Sequence, residues 1–150
     1  MRIMGLDIGT KTIGVAISDL LGLTAQGVGV IRRRDWGKDM EELRRMTAQY
    51  EVEKLLIGLP RRTTGAIGPE AKKIQAEGRK IGETLSLDVI YWDEWFSTAS
   101  AEQVLLEADL SRQKRRQVID RVAAAIILQS YLDSSAYREM DGQGKEDKDK

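Results

Sequence analysis

The opening of the chain alternates apolar with small or polar residues. From Arg2 to Ile8, Met4, Leu6 and Ile8 share one face at period two, and Ile3, Gly5 and Asp7 share the other, which predicts a strand. Gly9-Thr10-Lys11 reads as a short turn. Thr12 to Asp19 then repeats the pattern, with Ile13, Val15 and Ile17 opposite Gly14, Ala16 and Ser18. One face of this hairpin is bulky and the other unusually small. A third strand over Ala25 to Arg32 completes an antiparallel meander.

The spacing then becomes helical. Met40, Leu43, Met46, Ala48 and Tyr50 predict an amphipathic helix from about Trp36 to Glu51. Lys54 to Pro60 carries a continuous apolar run, Leu55 to Leu59, which suits a strand buried on both sides and which Pro60 ends. Pro69, at a first helical position, and Glu70 open a helix to about Leu85, and Asp88 to Trp92 reads as a fifth strand. Ser97 or Thr98 can cap a helix to about Ala108, and a last helix is expected from about Arg115 to Tyr137. The order predicts an α/β fold, a five-stranded mixed sheet flanked by helices. One domain is expected over residues 1–137. The remaining 138–150, glycine and mixed charge with almost nothing apolar, is expected to stay disordered.

Composition narrows the chemistry. The 150 residues include no cysteine and no histidine, which excludes a disulfide framework, a thiolate or imidazole nucleophile and a zinc site of nitrogen and sulfur ligands. Catalysis must rest on carboxylates, hydroxyls, lysines or a metal held through oxygen. The longest apolar run, Val122 to Leu128, is far short of the ~20 residues that cross a bilayer. The start lacks the apolar core of a secretory signal, so a cytoplasmic location without membrane contact is expected. Basic and acidic side chains balance at 24 each, but unevenly along the chain. Arg112, Lys114, Arg115, Arg116 and Arg121 cluster around Asp120, Arg32 to Arg34 form a second group, and Arg61 and Arg62 a third.

Three acidic positions stand where solvation is not the obvious purpose. Asp7 lies inside the first strand, where burial would be costly without a partner or a metal, unless the strand is an edge that reaches solvent. Asp93 and Glu94 follow the fifth strand, at the carboxyl end where ligands gather in open α/β sheets. Asp120 precedes the apolar run of the last helix, on the same helical face as Ala123 and Ala124, whose small side chains permit close approach to the sheet. A cluster of carboxylates with no histidine suits Mg²⁺ or Mn²⁺, and two such ions would serve phosphodiester cleavage.

Five segments together resemble one family: Met4 to Ala16, Ile57 to Pro60, Gly65 to Pro69, Asp93 to Thr98 and Val118 to Leu132. They look like the YqgF family, described as Holliday junction resolvases and pre-16S ribosomal RNA nucleases. The resemblance spans Met1 to Asp133 in matching order. It implies a ribonuclease H-like fold and a metal-dependent nuclease that matures the 5′ end of small-subunit ribosomal RNA. It also implies catalytic acids at Asp7, the pair Asp93 and Glu94, and Asp120, with Asp7, Glu94 and Asp120 holding two ions. Thr10 and Lys11 would face the scissile phosphate, and Arg115 and Arg116 would track the backbone. The family usually carries Arg after the acid pair, and Trp95 stands there instead. Arg61, Arg62, Arg115 or Arg116 could replace that contact, and Trp95 could stack on an unpaired base or pack beneath the following helix. A DNA junction as substrate and a non-cutting nucleic-acid-binding module are the alternatives. Asp7 to Thr12 also resembles the first phosphate loop of sugar kinases, which need a second domain that 150 residues cannot supply. The apolar rows of the last two helices fit either the sheet or a second copy in a homodimer.

Overall fold

The computed structural model describes residues 2–60, 68–93, 112–134 and 136–139, the side chains of 112–120 excepted. Strands β1 (Arg2–Ile8), β2 (Thr12–Ser18) and β3 (Ala25–Arg32) precede helix α1 (Trp36–Gln49), strand β4 (Val52–Leu59), helix α2 (Pro69–Leu85), strand β5 (Asp88–Asp93) and helix α3 (Arg112–Leu132). The sheet order is β3-β2-β1-β4-β5, so β1 is the middle strand. It pairs antiparallel with β2 and parallel with β4, and β4 pairs parallel with β5. The expected mixed sheet of five strands is observed. The option of an edge position for Asp7 is removed.

Period-two alternation divides the core into two layers. Met4, Leu6, Ile13, Val15, Leu55 and Ile57 face α1 and α2, packing with Met40, Leu43, Met46 and Ile81. On the other face Ile3, Ala16 and Leu56 meet Ala124, Ile127, Leu128, Tyr131 and Leu132 of α3. The apolar row of α3 therefore covers the sheet. The helix expected over residues 97–108 lies outside the described residues. Among the described residues no helix is long and apolar enough to cross a membrane.

Element ends differ from expectation by a few residues, each for a local reason. β4 begins at Val52 because Val52 already pairs with Arg2. β5 extends to Asp93, which pairs with Leu59. α3 begins at Arg112 and stops at Leu132, not Tyr137. At that end the Tyr131 carbonyl accepts from both the amide of Ser134, at 3.0 Å, and its hydroxyl, at 2.5 Å. The chain turns there, and 136–139 form a separate helical turn. Tyr137 on that turn stacks edge-on against Tyr131, which in turn meets Trp92.

The small face of the hairpin is what α3 rests on. A Cβ placed on Gly5 would stand 3.0 Å from Cβ of Leu128 and 3.4 Å from the carbonyl oxygen of Ala124. One on Gly27 of β3 would collide with Cγ of Arg121 and meet its carbonyl oxygen at 2.9 Å. Gly27, Ala16 and Gly5 are register partners across β3, β2 and β1, so one level of the sheet is cleared for the helix. Gly29, by contrast, has only the flexible end of Met46 at 3.8 Å. Gly5→Ala is expected to lower stability by about 1–3 kcal/mol through overpacking, while Gly29→Ala stays within about 1 kcal/mol of the native chain. Urea denaturation of the two variants checks this.

Candidate active site at the carboxyl end of the central strand

The side chains of Ile3, Gly5 and Asp7 share the α3 side of β1 by alternation, and Ile3 is packed in the α3 layer. Asp7 thus stands at the carboxyl end of the middle strand, on the side covered by α3. It is half-buried and opposite Gly14. Beyond it the β1–β2 turn exposes Thr10 and Lys11, and the Gly9 amide closes the turn on the Thr12 carbonyl at 2.8 Å.

α3 runs antiparallel to β1. Gln129, near its carboxyl end, accepts the Ala25 amide at 2.8 Å and donates to the Leu23 carbonyl at 2.9 Å, which anchors the helix to the start of β3. Ala124 lies over Gly5. Arg121 lies over Gly27 of β3, so the helix crosses the strands obliquely, and Asp120 is one turn back from Ala124. The Asp120 position thus lies on α3, the helix that covers the side of the sheet on which Asp7 stands. Arg115 and Arg116 lie one further turn toward the start of the same helix.

Asp93 takes a different place. It ends β5 and is exposed. Val89 and Tyr91 pack in the α1 and α2 layer, while Ile90 and Trp92 pack in the α3 layer, so alternation puts Asp93 on the side opposite Asp7. Continuing the β1–β4 register by one residue sets Asp7 level with Gly58 and Trp92, two strands or about 10 Å apart. Trp92 is tied to α3 by its indole N–H, which donates to Ser130 Oγ at 3.2 Å. Glu94, Trp95, Arg61 and Arg62 lie outside the described residues.

Two groups that shape this region have partners that no sequence pattern shows. Gln129 is one. The other is Arg33, whose Nη1 donates to the Gly9 carbonyl at 2.7 Å and which pairs with Glu77 of α2. At the opposite end of the sheet Asp19 closes the β2–β3 hairpin, accepting from the Leu23 amide at 2.8 Å and the Thr24 hydroxyl at 3.0 Å. The donation from Leu23 is the main reason its carboxyl is held below the usual range. Burial raises the phenols of Tyr91 and Tyr131. Gln129→Ala is expected to cost about 1–3 kcal/mol, because the Ala25 amide is left without its acceptor, and to speed exchange of that amide in a hydrogen-exchange measurement.

Comparison with known proteins gives consistent results. A family model described as "RuvX: Holliday junction resolvase" matches residues 1–134. A protein of Heliobacterium modesticaldum is 50% identical over 146 residues, covering 97% of this chain and 98% of its own length. One of Moorella thermoacetica is 55% identical over 133 residues, covering 89% and 95%. Both bear the name "Putative pre-16S rRNA nuclease". The structure of Thermus thermophilus RuvC in complex with Holliday junction substrate superposes with a TM-score of 0.56 at 13% identity, over 94% of this chain and 96% of that one. That likeness is one of fold, and the ribonuclease H-like architecture expected from the five motifs is the one observed.

Proposed function

The chain belongs to the RuvX family, and from that premise we propose that it is a metal-dependent endonuclease that processes the 5′ end of precursor 16S ribosomal RNA in the cytoplasm. The observation that carries the reading is Asp7, a half-buried carboxylate on the middle strand, on the side covered by the helix that carries Asp120. Relatives about half identical over nearly their whole length, named for precursor ribosomal RNA, support RNA over a DNA junction as substrate.

The donor set suits Mg²⁺ or Mn²⁺. Asp7 and Asp120 supply oxygen ligands from two elements that meet at one end of the sheet, and the chain has neither histidine nor cysteine to favour a softer ion. Asp7, Glu94 and Asp120 are the residues assigned to hold two ions. Bound there, the ions would lower the pKa of a water and offset charge on the phosphate. Glu94 is preferred over Asp93 because Asp93 falls on the far side of the sheet from Asp7. Asp93 keeps at most an indirect part.

The remaining roles follow from position. Thr10 and Lys11, exposed on the turn just beyond Asp7, face the scissile phosphate. Arg115 and Arg116 open α3 at the same end of the sheet, where the amino-terminal dipole of the helix adds to their charge, and they track the RNA backbone. Arg61, Arg62 and Trp95 are assigned to the same strand of RNA, Trp95 by stacking on an unpaired base. A homodimer would have to use surfaces other than the apolar row of α3, which the sheet already takes up.

The decisive experiment is cleavage of a labelled precursor RNA beside a four-way DNA junction, with Mn²⁺ or chelator. Metal-dependent cutting of the RNA by the native chain is expected, with activity reduced at least about 1,000-fold in Asp7→Asn at unchanged thermal stability. Preferential cutting of the junction would make the protein a resolvase. Binding without cutting would make it a non-catalytic module. In the same assay, replacing Arg115 and Arg116 by Ala is expected to weaken RNA binding and to reduce its salt slope by about 0.7 for each phosphate that is no longer neutralised. An unchanged slope would return the pair to ordinary surface.

A further inference from the structure

Arg32, Arg33 and Arg34 form one basic cluster in the sequence, but the fold uses them differently. Arg32 and Arg34 are exposed, while Arg33 is half-buried between the β1–β2 turn and α2. Nη1 of Arg33 donates to the Gly9 carbonyl at 2.7 Å and also reaches Oε2 of Glu77 at 3.4 Å. Its Nη2 is ion-paired with Oε1 of Glu77. The Arg33 amide donates to the Lys11 carbonyl at 2.9 Å. One residue thus grips both ends of the Gly9-Thr10-Lys11 turn and ties them to α2.

We propose that Arg33 is a positioning residue for the nuclease reaction, fixing the turn that follows Asp7 and carries Thr10 and Lys11. The proposal rests on the reading of this end of the sheet as the nuclease site. A planar guanidinium can serve a carbonyl and a carboxylate at once, in fixed geometry. The ammonium of a lysine offers a single point of charge and cannot hold both in that geometry. Glu77 has a defined part: it neutralises the guanidinium and sets its orientation. With side-chain exposures of 24% and 20%, the pair is shielded enough to hold one arrangement, yet its paired charge adds little to the attraction of RNA. Removal of Arg33 should therefore act on the chemical step more than on RNA binding, because displacing a catalytic group by about 1 Å costs on the order of 100-fold.

The test compares Arg33→Ala, Arg33→Lys and Glu77→Gln in the full chain, with precursor RNA and Mn²⁺, and follows exchange of the Gly9 amide in metal-free protein. In Arg33→Ala, kcat is expected to fall by about 10–100-fold while KM and its salt dependence stay within about twofold. Arg33→Lys should recover only part of that activity, and Glu77→Gln, which still accepts a hydrogen bond, should fall between. Exchange at Gly9 should quicken by about tenfold in Arg33→Ala while the Leu6 amide is unchanged. If Arg33→Ala fails to fold, the same comparison is read from Arg33→Lys and Glu77→Gln. A raised KM at constant kcat would make Arg33 an RNA contact and overturn the proposal, as would unchanged exchange at Gly9. If the native chain cuts neither RNA nor junction, the nuclease reading fails. Quickened exchange would then show the brace on the turn to be real and its catalytic purpose to be wrong.

Discussion

The structure depends on how closely one helix can lie on the sheet. α3 reaches the β1–β2–β3 layer because Gly5, Ala16 and Gly27 present almost no side chain along one level of three adjacent strands. A helix held off by ordinary side chains packs about 10 Å from its sheet, and each added methylene in such a contact forces neighbours off their preferred rotamers. Close approach does more than bury the apolar row from Ala124 to Leu132. It fixes the height of α3 above the face of the sheet on which Asp7 stands.

The same contact fixes position along the sheet. Gln129 holds the carboxyl half of α3 to the β2–β3 hairpin through the Ala25 amide and the Leu23 carbonyl, while Ser130 accepts from Trp92 of β5. The Gln129 bonds lie at the end of the sheet remote from Asp7, and the Trp92 bond ties α3 to the far edge strand level with it. The carboxyl half of the helix is thus held to the sheet by side-chain bonds as well as by apolar packing. A half-buried carboxylate in a middle strand is costly to desolvate, a cost met by hydrogen bonds or opposite charge.

The features readable from sequence were those set by period. The bulky and small faces of the hairpin, written in Ile13, Val15 and Ile17 against Gly14, Ala16 and Ser18, become the two core layers. Pro69 starts α2 where its fixed backbone geometry predicts. Period two also separates Asp93 from Asp7, a distinction available from sequence once Trp92 and Asp93 are counted as one strand. What period cannot show is a partner distant in sequence. Arg33 looks like a member of a solvated arginine run because Glu77 is 44 residues away on another element, and only the fold brings Gly9, Lys11 and Glu77 to it. Gln129 was legible as part of a motif but not as the tie to a hairpin more than 100 residues earlier.

That difference bears on how a chain of zero formal charge can handle a polyanion. Counting arginines overstates the cations available, since some are neutralised internally, as Arg33 is by Glu77. What matters is where the others stand. Lys11 projects from the turn beyond Asp7, and Arg115 and Arg116 open a helix whose amino-terminal end lies at the same end of the sheet. Acidic residues elsewhere balance the sum without cancelling this local field, because charges separated by more than about 10 Å are screened from one another at ordinary ionic strength. Net charge therefore says little about affinity for RNA here. The placement of α3, permitted by Gly5 and Gly27, says more.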